Sequence, residues 1–264
     1  MVKMKEDPIQ SQNPSQQSFD RIALLGVTVA ILSALAAILS GFGHRLGWWH
    51  FTTGFSILHW ATIGALASII ISLWGIFRTR SRQERRGLWQ ALLGLIISLV
   101  VVSIPLYWLL TARSVPPIHD ITTDTDNPPT FSALLPLRAN APNSSQYGGP
   151  TIAAQQQKAY PDIKPLYLSL NAKRTLDEAL TVAQSLGWDV ITVESRKTEK
   201  GKIHLEAMDA TLWFGFIDDI VVRITPFDSG SRVDVRSVSR VGRSDIGTNA
   251  RRIHTFLSAL KERA

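Results

Sequence analysis

Two short stretches carry residue types that could bind or transform something, and both lie in the C-terminal half. His119, Asp120, Asp124 and Asp126 fall within eight residues. Oxygen-rich ligands so close in sequence suit a hard cation such as Ca²⁺, or a metal-assisted hydrolysis. Their spacing departs from the D-x-[DN]-x-[DN]-G loop, because no Gly follows and Pro128 intervenes. Asp and Thr side chains also build turns by bonding nearby backbone N–H groups, so turn formation is the competing reading. The second stretch places Arg236, Arg240 and Arg243 beside Ser237, Ser239 and Ser244, just ahead of the last predicted helix. Free N–H groups at a helix N-terminus favour an anion, and guanidinium forks fit phosphate or carboxylate. Arg236, Arg240, Arg243 and Ser244 are therefore the candidate anion ligands. The alternative is internal pairing with Asp218, Asp219, Asp234 and Asp245. Asp218 and Asp219 are adjacent carboxylates, but neighbours on a strand point to opposite faces and would not share acid–base work. The expectation is one salt-bridged to an arginine and one solvated. His119 has no identifiable nucleophile to serve, so no catalytic residue is assigned and no cofactor is expected.

The elements that must hold these residues can be read from periodicity. Residues 163–170, IKPLYLSL, read as a strand. Thr175 followed by Glu178 makes a capping box, Leu176, Ala179, Leu180, Ala183 and Leu186 share one helical face, and Gly187 stops the helix. Strands follow in WDVITVESR and KIHLEAMDA around a TEKG connection, then in TLWFGF with DDIVVRITPF, and finally in RVDVRSVSR after the turn DSGS. In the last of these Val233 and Val235 alternate with Arg232, Asp234 and Arg236, predicting one dry face and one wet face. A closing helix begins after Ser244 or Asp245, with Ile246, Ala250, Ile253, Leu257 and Leu260 on its apolar side and Arg251, Arg252 and Lys261 on its polar side. The order strand, helix, four or five strands, helix predicts an α+β domain at 161–264: an antiparallel sheet with two helices on one face. Ahead of it, 113–160 is rich in Pro, Asn, Ser, Thr and Asp and shows no apolar period. It reads as an extended segment draped over the domain through Ile118, Ile121, Phe131, Leu134, Leu135 and Leu137.

The N-terminal part has a different character. Residues 22–41, 51–77 and 87–112 are uncharged runs of 20, 27 and 26 residues. A bilayer core of about 30 Å needs roughly 20 apolar residues at about 1.5 Å each, so every run can cross. None has the polar face of a water-soluble core helix. The expected organisation is a polar cytoplasmic tail at 1–20, then three transmembrane helices within 21–112, at about 22–41, 55–77 and 88–110. The first run exceeds a signal peptide's apolar stretch of about 7–15 residues and is read as retained. Trp48, Trp49, Trp74, Trp89, Tyr107 and Trp108 cluster near the span ends, where amphipathic rings meet headgroups. His59 is read as a bland hydrogen-bonding or interfacial side chain, because no acidic residue lies in any span. Gly64 and Ser68 allow close helix approach.

Charge placement orients these spans. Arg78, Arg80, Arg82, Arg85 and Arg86 crowd the second connection against a single Glu84, whereas the first holds Arg45 alone. The positive-inside rule then places the N-terminus and the Arg-rich connection in the cytoplasm, and everything after Arg113 outside. Residues 1–110 hold nine Lys+Arg and four Asp+Glu; residues 111–264 hold nineteen and seventeen. The basic excess thus belongs to membrane topology, and no nucleic-acid partner is expected. With no Cys, disulfide staples, Cys-based zinc sites and thiol catalysis are excluded.

PPIHDITTDTDNPPTF at 116–131, FGFIDDIVVRI at 214–224 and GSRVDVRSVSRVGRSDIGTNARRI at 230–253 resemble the domain-of-unknown-function 1499 family over roughly 115–260. The resemblance implies a bacterial, often membrane-tethered protein without an agreed activity. Many members carry a Cys pair near the start of the domain, and this chain has none. The resulting expectation is an integral protein of the bacterial inner membrane with a periplasmic, non-catalytic domain. That domain would bind a ligand or partner of the cell envelope, such as an anionic lipid, beside the lipid bilayer that surrounds the spans. The rivals are an envelope hydrolase using residues 119–126 and a structural subunit of a membrane complex.

Overall fold

The computed structural model describes residues 19–81, 86–195 and 202–264. Lys3, Lys5, Arg82, Glu84, Arg85 and the TEKG connection at 198–201 lie outside the described residues. The chain divides into two compact units, Met1–Gly43 with Gly47–Leu106, and His44–Leu46 with Tyr107–Ala264.

The first unit is built on three helices, α1 (Arg21–Arg45), α2 (Phe51–Ser81) and α3 (Leu88–Ser114), each long and apolar enough to cross a membrane. Their packing inverts that of a water-soluble protein. Ala23, Ala30, Ala65, Ala91, Ser68, Ser72 and Ser98 are buried, while Leu32, Trp60, Ile70, Leu73, Leu93 and Ile96 face outward. Lipid tails are as apolar as leucine, so large side chains gain nothing by leaving them; small ones let backbones approach. At Gly94 a Cβ would lie 2.9 Å from the Val27 nitrogen and 2.7 Å from Ser72 Oγ, closer than packing allows. Two of the buried hydroxyls bond inside the bundle: Ser68 Oγ donates to the Gly26 carbonyl at 2.8 Å, and Ser98 Oγ donates to Ser68 Oγ at 2.8 Å. Gly64 packs against Ser33, while His59 is exposed on the outer surface beside Trp60. Asp20 closes one end. Its carboxylate accepts from the N–H groups of Ile22 and Ala23, capping α1, and pairs with Arg78 of α2 at 3.2 Å.

The second unit holds one antiparallel sheet in the order β1 (Asp120–Thr122), β6 (Gly230–Ser239), β5 (Ile217–Phe227), β4 (Ile203–Ala210), β3 (Asp189–Ser195), with β2 (Leu166–Leu168) also pairing with β6. Alternation along the strands sends Leu205, Ala207, Ile220, Val222, Ile224, Val233 and Val235 to one face. There they meet Ala179, Val182 and Ala183 of α5 (Ala172–Ser185) and Ile253, Phe256 and Leu260 of α6 (Thr248–Arg263). Trp188 stacks on Phe256 with ring centroids 4.9 Å apart. Each fully buried Val, Leu, Ile or Phe among them contributes about 1.5–3 kcal/mol. The predicted α+β layout, an antiparallel sheet with both helices on one face, following three apolar helices in the chain, is what the protein adopts.

Several local expectations are corrected. Helix α5 starts earlier than the capping box suggests, because Asn171 caps it by accepting from the Arg174 N–H at 3.0 Å. Thr175 sits inside the first turn and bonds Ser231. The strand expected at 163–170 is ordered as β only at Leu166–Leu168. TLWFGF forms a turn-rich connection rather than a strand. Residues 113–160 are not wholly extended: they supply β1, a 3₁₀ turn at Pro136–Arg138, and α4 (Gly149–Ala159). Gln156 of α4 explains that helix's position. Its amide accepts from the Thr122 N–H at 3.0 Å and donates to the Thr122 carbonyl at 2.6 Å, replacing a neighbouring strand at the β1 edge.

Candidate functional site

The opposite face of the sheet carries the charges. Arg236 and Asp234 of β6, Arg223 and Asp219 of β5, and Glu206 of β4 project there, and all are buried. This is the face the alternation predicts to be wet. It is dry because residues 123–148 cross it as a strap, with Phe131 and Leu134 packing on Val221 and Val238.

Buried charges and the strap satisfy one another. Arg236, 1% exposed, forks onto Asp120 with Nε to Oδ1 at 2.9 Å and Nη2 to Oδ2 at 2.7 Å. Its other N–H groups reach the strap carbonyls of Pro129 at 3.1 Å and Ser145 at 2.9 Å. The guanidinium lies between the rings of Phe131 and Tyr147 at 5.3 and 5.6 Å. Arg240 forks onto Asp219, with its shortest contact 2.7 Å, and donates to the Leu137 carbonyl at 3.0 Å. Arg138 approaches the same carboxylate at 3.6 Å and donates to the carbonyls of Asn143 and Ser144. Glu206 accepts three bonds from the strap: Ser132 N–H at 2.7 Å, Ser132 Oγ at 2.6 Å and Leu134 N–H at 2.9 Å. A strap without its own ladder must find partners for its backbone, and these side chains supply them.

Burial dominates the electrostatics of this face. It raises the Asp120 carboxyl above its ordinary 3.8 despite the opposing pull of Arg236. It lowers the Arg138 guanidinium below its ordinary value, with Asp219 opposing and Arg236 and Arg240 reinforcing the fall. Burial, then the Asp120 charge, pushes the Tyr147 phenol from 10.0 up to about 12.

The four carboxylate and imidazole candidates are not brought together. Asp120 is engaged by Arg236. Asp124 accepts from Arg223 at 3.0 Å and Arg232 at 2.7 Å, arginines that it shares with Asp234, and caps a turn through the Asn127 N–H. His119 lies 3.4 Å from the Arg243 carbonyl, and Asp126 is exposed. Among the described residues no three His, Cys, Asp or Glu side chains converge to hold a metal ion.

The α6 N-terminus receives its anion from within the chain. Asp245 accepts from the N–H groups of Gly247 at 2.9 Å and Asn249 at 2.7 Å, and burial raises its carboxyl above 3.8. Ser244 Oγ accepts from the Ile246 N–H, while Arg243 is exposed. Asp218 and Asp219 point to opposite faces as expected, but neither is solvated. Asp218 pairs with Arg252 of α6 at 2.7 Å, and burial raises its carboxyl above 3.8. Arg252, placed by periodicity on the polar side of α6, is thus buried and also bonds Asp209 and Asn249.

Sequence reasoning passed over Glu206, Arg138 and Tyr147. Glu206 had a signal: it sits between Leu205 and Ala207 in a strand whose neighbours are apolar. The model of a family described as "Protein of unknown function (DUF1499)" matches residues 120–260. No curated protein and no solved structure matches the chain.

Proposed function

The chain belongs to the family of proteins of unknown function DUF1499, and from that premise we propose a membrane-anchored, non-catalytic binding protein of the bacterial envelope. Its three helices cross the cytoplasmic membrane with the N-terminus inside, and its C-terminal domain lies on the extracytoplasmic side, where it holds an envelope component. Apolar helix exteriors and the arginines at 78, 80 and 86 support the placement. One observation carries the non-catalytic reading: Asp120, Asp124, Asp219 and Asp234 are each committed to arginines of the same domain. Such groups order a fold rather than exchange protons with a substrate.

Binding then falls to the surface. Of the four anion candidates, Arg236 and Arg240 are engaged inside, and Arg243 offers an exposed guanidinium next to Ser244. The ligand class that suits it is an anionic lipid headgroup. Native mass spectrometry of the full-length protein released from phosphatidylglycerol nanodiscs tests this. Retained phosphatidylglycerol adducts that fall several-fold in Arg243→Glu, with Arg236 and Arg240 intact, are expected. Adducts of equal abundance in both proteins would refute the assignment.

A further inference from the structure

We infer that residues 211–216, the connection between β4 and β5, form an anchor that rests in the headgroup layer of the bilayer. The connection is closed on itself. The Thr211 N–H donates to the Phe216 carbonyl at 2.9 Å, the Gly215 N–H donates to the Thr211 carbonyl at 2.9 Å, and the Phe216 N–H donates to Thr211 Oγ1 at 2.9 Å. Gly215 takes φ +67°, the left-handed conformation such a tight return requires. This small closed loop presents its apolar side chains in a fixed arrangement. Phe214 is buried and stacks on Phe216 at 5.2 Å, Trp213 stands edge-on to Phe214 at 5.1 Å, and Leu212 is 77% exposed.

The residues around the loop within the same unit identify what covers Leu212. Trp213 packs against Trp108, in the last turns of α3, with centroids 5.6 Å apart. Arg45, the final residue of α1, donates to the Thr211 carbonyl at 3.0 Å and to the Leu212 carbonyl. His44 lies 5.7 Å from the Phe216 ring. Helices α1 and α3 run in the same direction across a membrane if all three cross, so these C-terminal ends share one interface. Tryptophan rings and an arginine with an apolar stem are the residues that settle at that depth. An exposed leucine beside them meets lipid rather than water. Arg243 follows β6 at this same end of the sheet, since Ser239 is paired with Asp218 at the start of β5. A guanidinium there is placed to meet phosphate. The inference rests on the three-span reading, not on which side the domain occupies.

The chain has no Cys, so single-cysteine probes report cleanly. Leu212→Cys, Phe227→Cys and Ile96→Cys, each labelled with an environment-sensitive fluorophore, are to be placed in full-length protein reconstituted into phosphatidylcholine–phosphatidylglycerol vesicles. Phe227 ends the 11-residue β5, about 35 Å from the loop. The Leu212 probe is expected to emit to the blue and to be quenched at least twofold more by lipid spin-labelled near the headgroup than by lipid labelled deep in the chain. The Phe227 probe should stay solvent-like, and the Ile96 probe should be quenched best by the deep label. A Leu212 probe quenched by aqueous iodide like Phe227, alongside a lipid-quenched Ile96, overturns the anchor and leaves the spans standing. Blue emission at Leu212 that ignores spin-labelled lipid also overturns it, in favour of a protein partner. An Ile96 probe untouched by lipid labels overturns both readings.

Discussion

Replacing Arg236 by alanine tests whether the buried charges hold the strap. The side chain is 1% exposed and makes four hydrogen bonds, two to Asp120 and one each to the Pro129 and Ser145 carbonyls. Its loss leaves Asp120, 5% exposed, as a charge without its partner, and frees two strap carbonyls. Breaking a buried pair from one side costs about 3–5 kcal/mol, and each unsatisfied carbonyl adds to that. For a unit of this size about 1 kcal/mol corresponds to roughly 2–4 °C, so Arg236→Ala should lower the midpoint by about 10 °C. The assay is thermal unfolding of the full-length protein in a mild detergent, followed by tryptophan fluorescence in a background where Trp188, stacked on Phe256, is kept and the other tryptophans are replaced by phenylalanine. Asp120→Leu/Arg236→Met removes both charges together and should recover more than half of the loss, because two apolar groups leave no stranded ion. If Arg236→Ala unfolds within about 1 kcal/mol of the parent, the arginine does not anchor the strap and the structural account of this face fails.

Three further outcomes follow from the same geometry. Tyr147 has a folded value raised from 10.0 to about 12, so the stability it contributes is complete below pH 10 and is lost as pH climbs toward 12. Absorbance at 295 nm should show a late tyrosinate phase that shrinks in Tyr147→Phe; a single phase near pH 10 in the parent would contradict this. Gly94→Leu should destabilise the helical unit by about 1–3 kcal/mol through overpacking against Val27 and Ser72, read as easier unfolding in SDS titrations. Unchanged SDS resistance would mean that the helices do not meet there. Ile246 is β-branched yet adopts φ +53°, which costs about 1 kcal/mol or more. Ile246→Asn should therefore raise the unfolding midpoint by about 2–4 °C, and a fall would show that its side-chain packing outweighs the strain.

The three long apolar helices and the helix-backed sheet were legible because each rests on a local pattern. Runs of 20 to 27 uncharged residues admit few alternatives to a bilayer, and alternation in β6 separates Val233 and Val235 from their charged neighbours. The partners of the charges were not legible. Arg236 and Asp120 lie 116 residues apart, and Arg240 reaches Asp219 across 21. A charged strand face reads as solvated unless something covers it, and the strap that does so has no periodicity to announce it. Helix α4 escaped notice for a related reason: GPTIAAQQQKA has little apolar face, and Gln156 fixes it through a backbone contact with Thr122. Thr175, read as the cap of α5, lies inside its first turn, and Asn171 caps the helix instead. The choice went to Asn171 because Thr175 is drawn to Ser231 beneath it.

The side of the membrane on which the C-terminal domain lies bears most directly on the proposed role. Dual reporters, one active only in the cytoplasm and one only beyond it, fused after residue 82 and after Ala264 in intact cells, measure it. The account predicts cytoplasmic activity at 82 and extracytoplasmic activity at the C-terminus. The same compartment at both positions, or the reverse assignment, would contradict it.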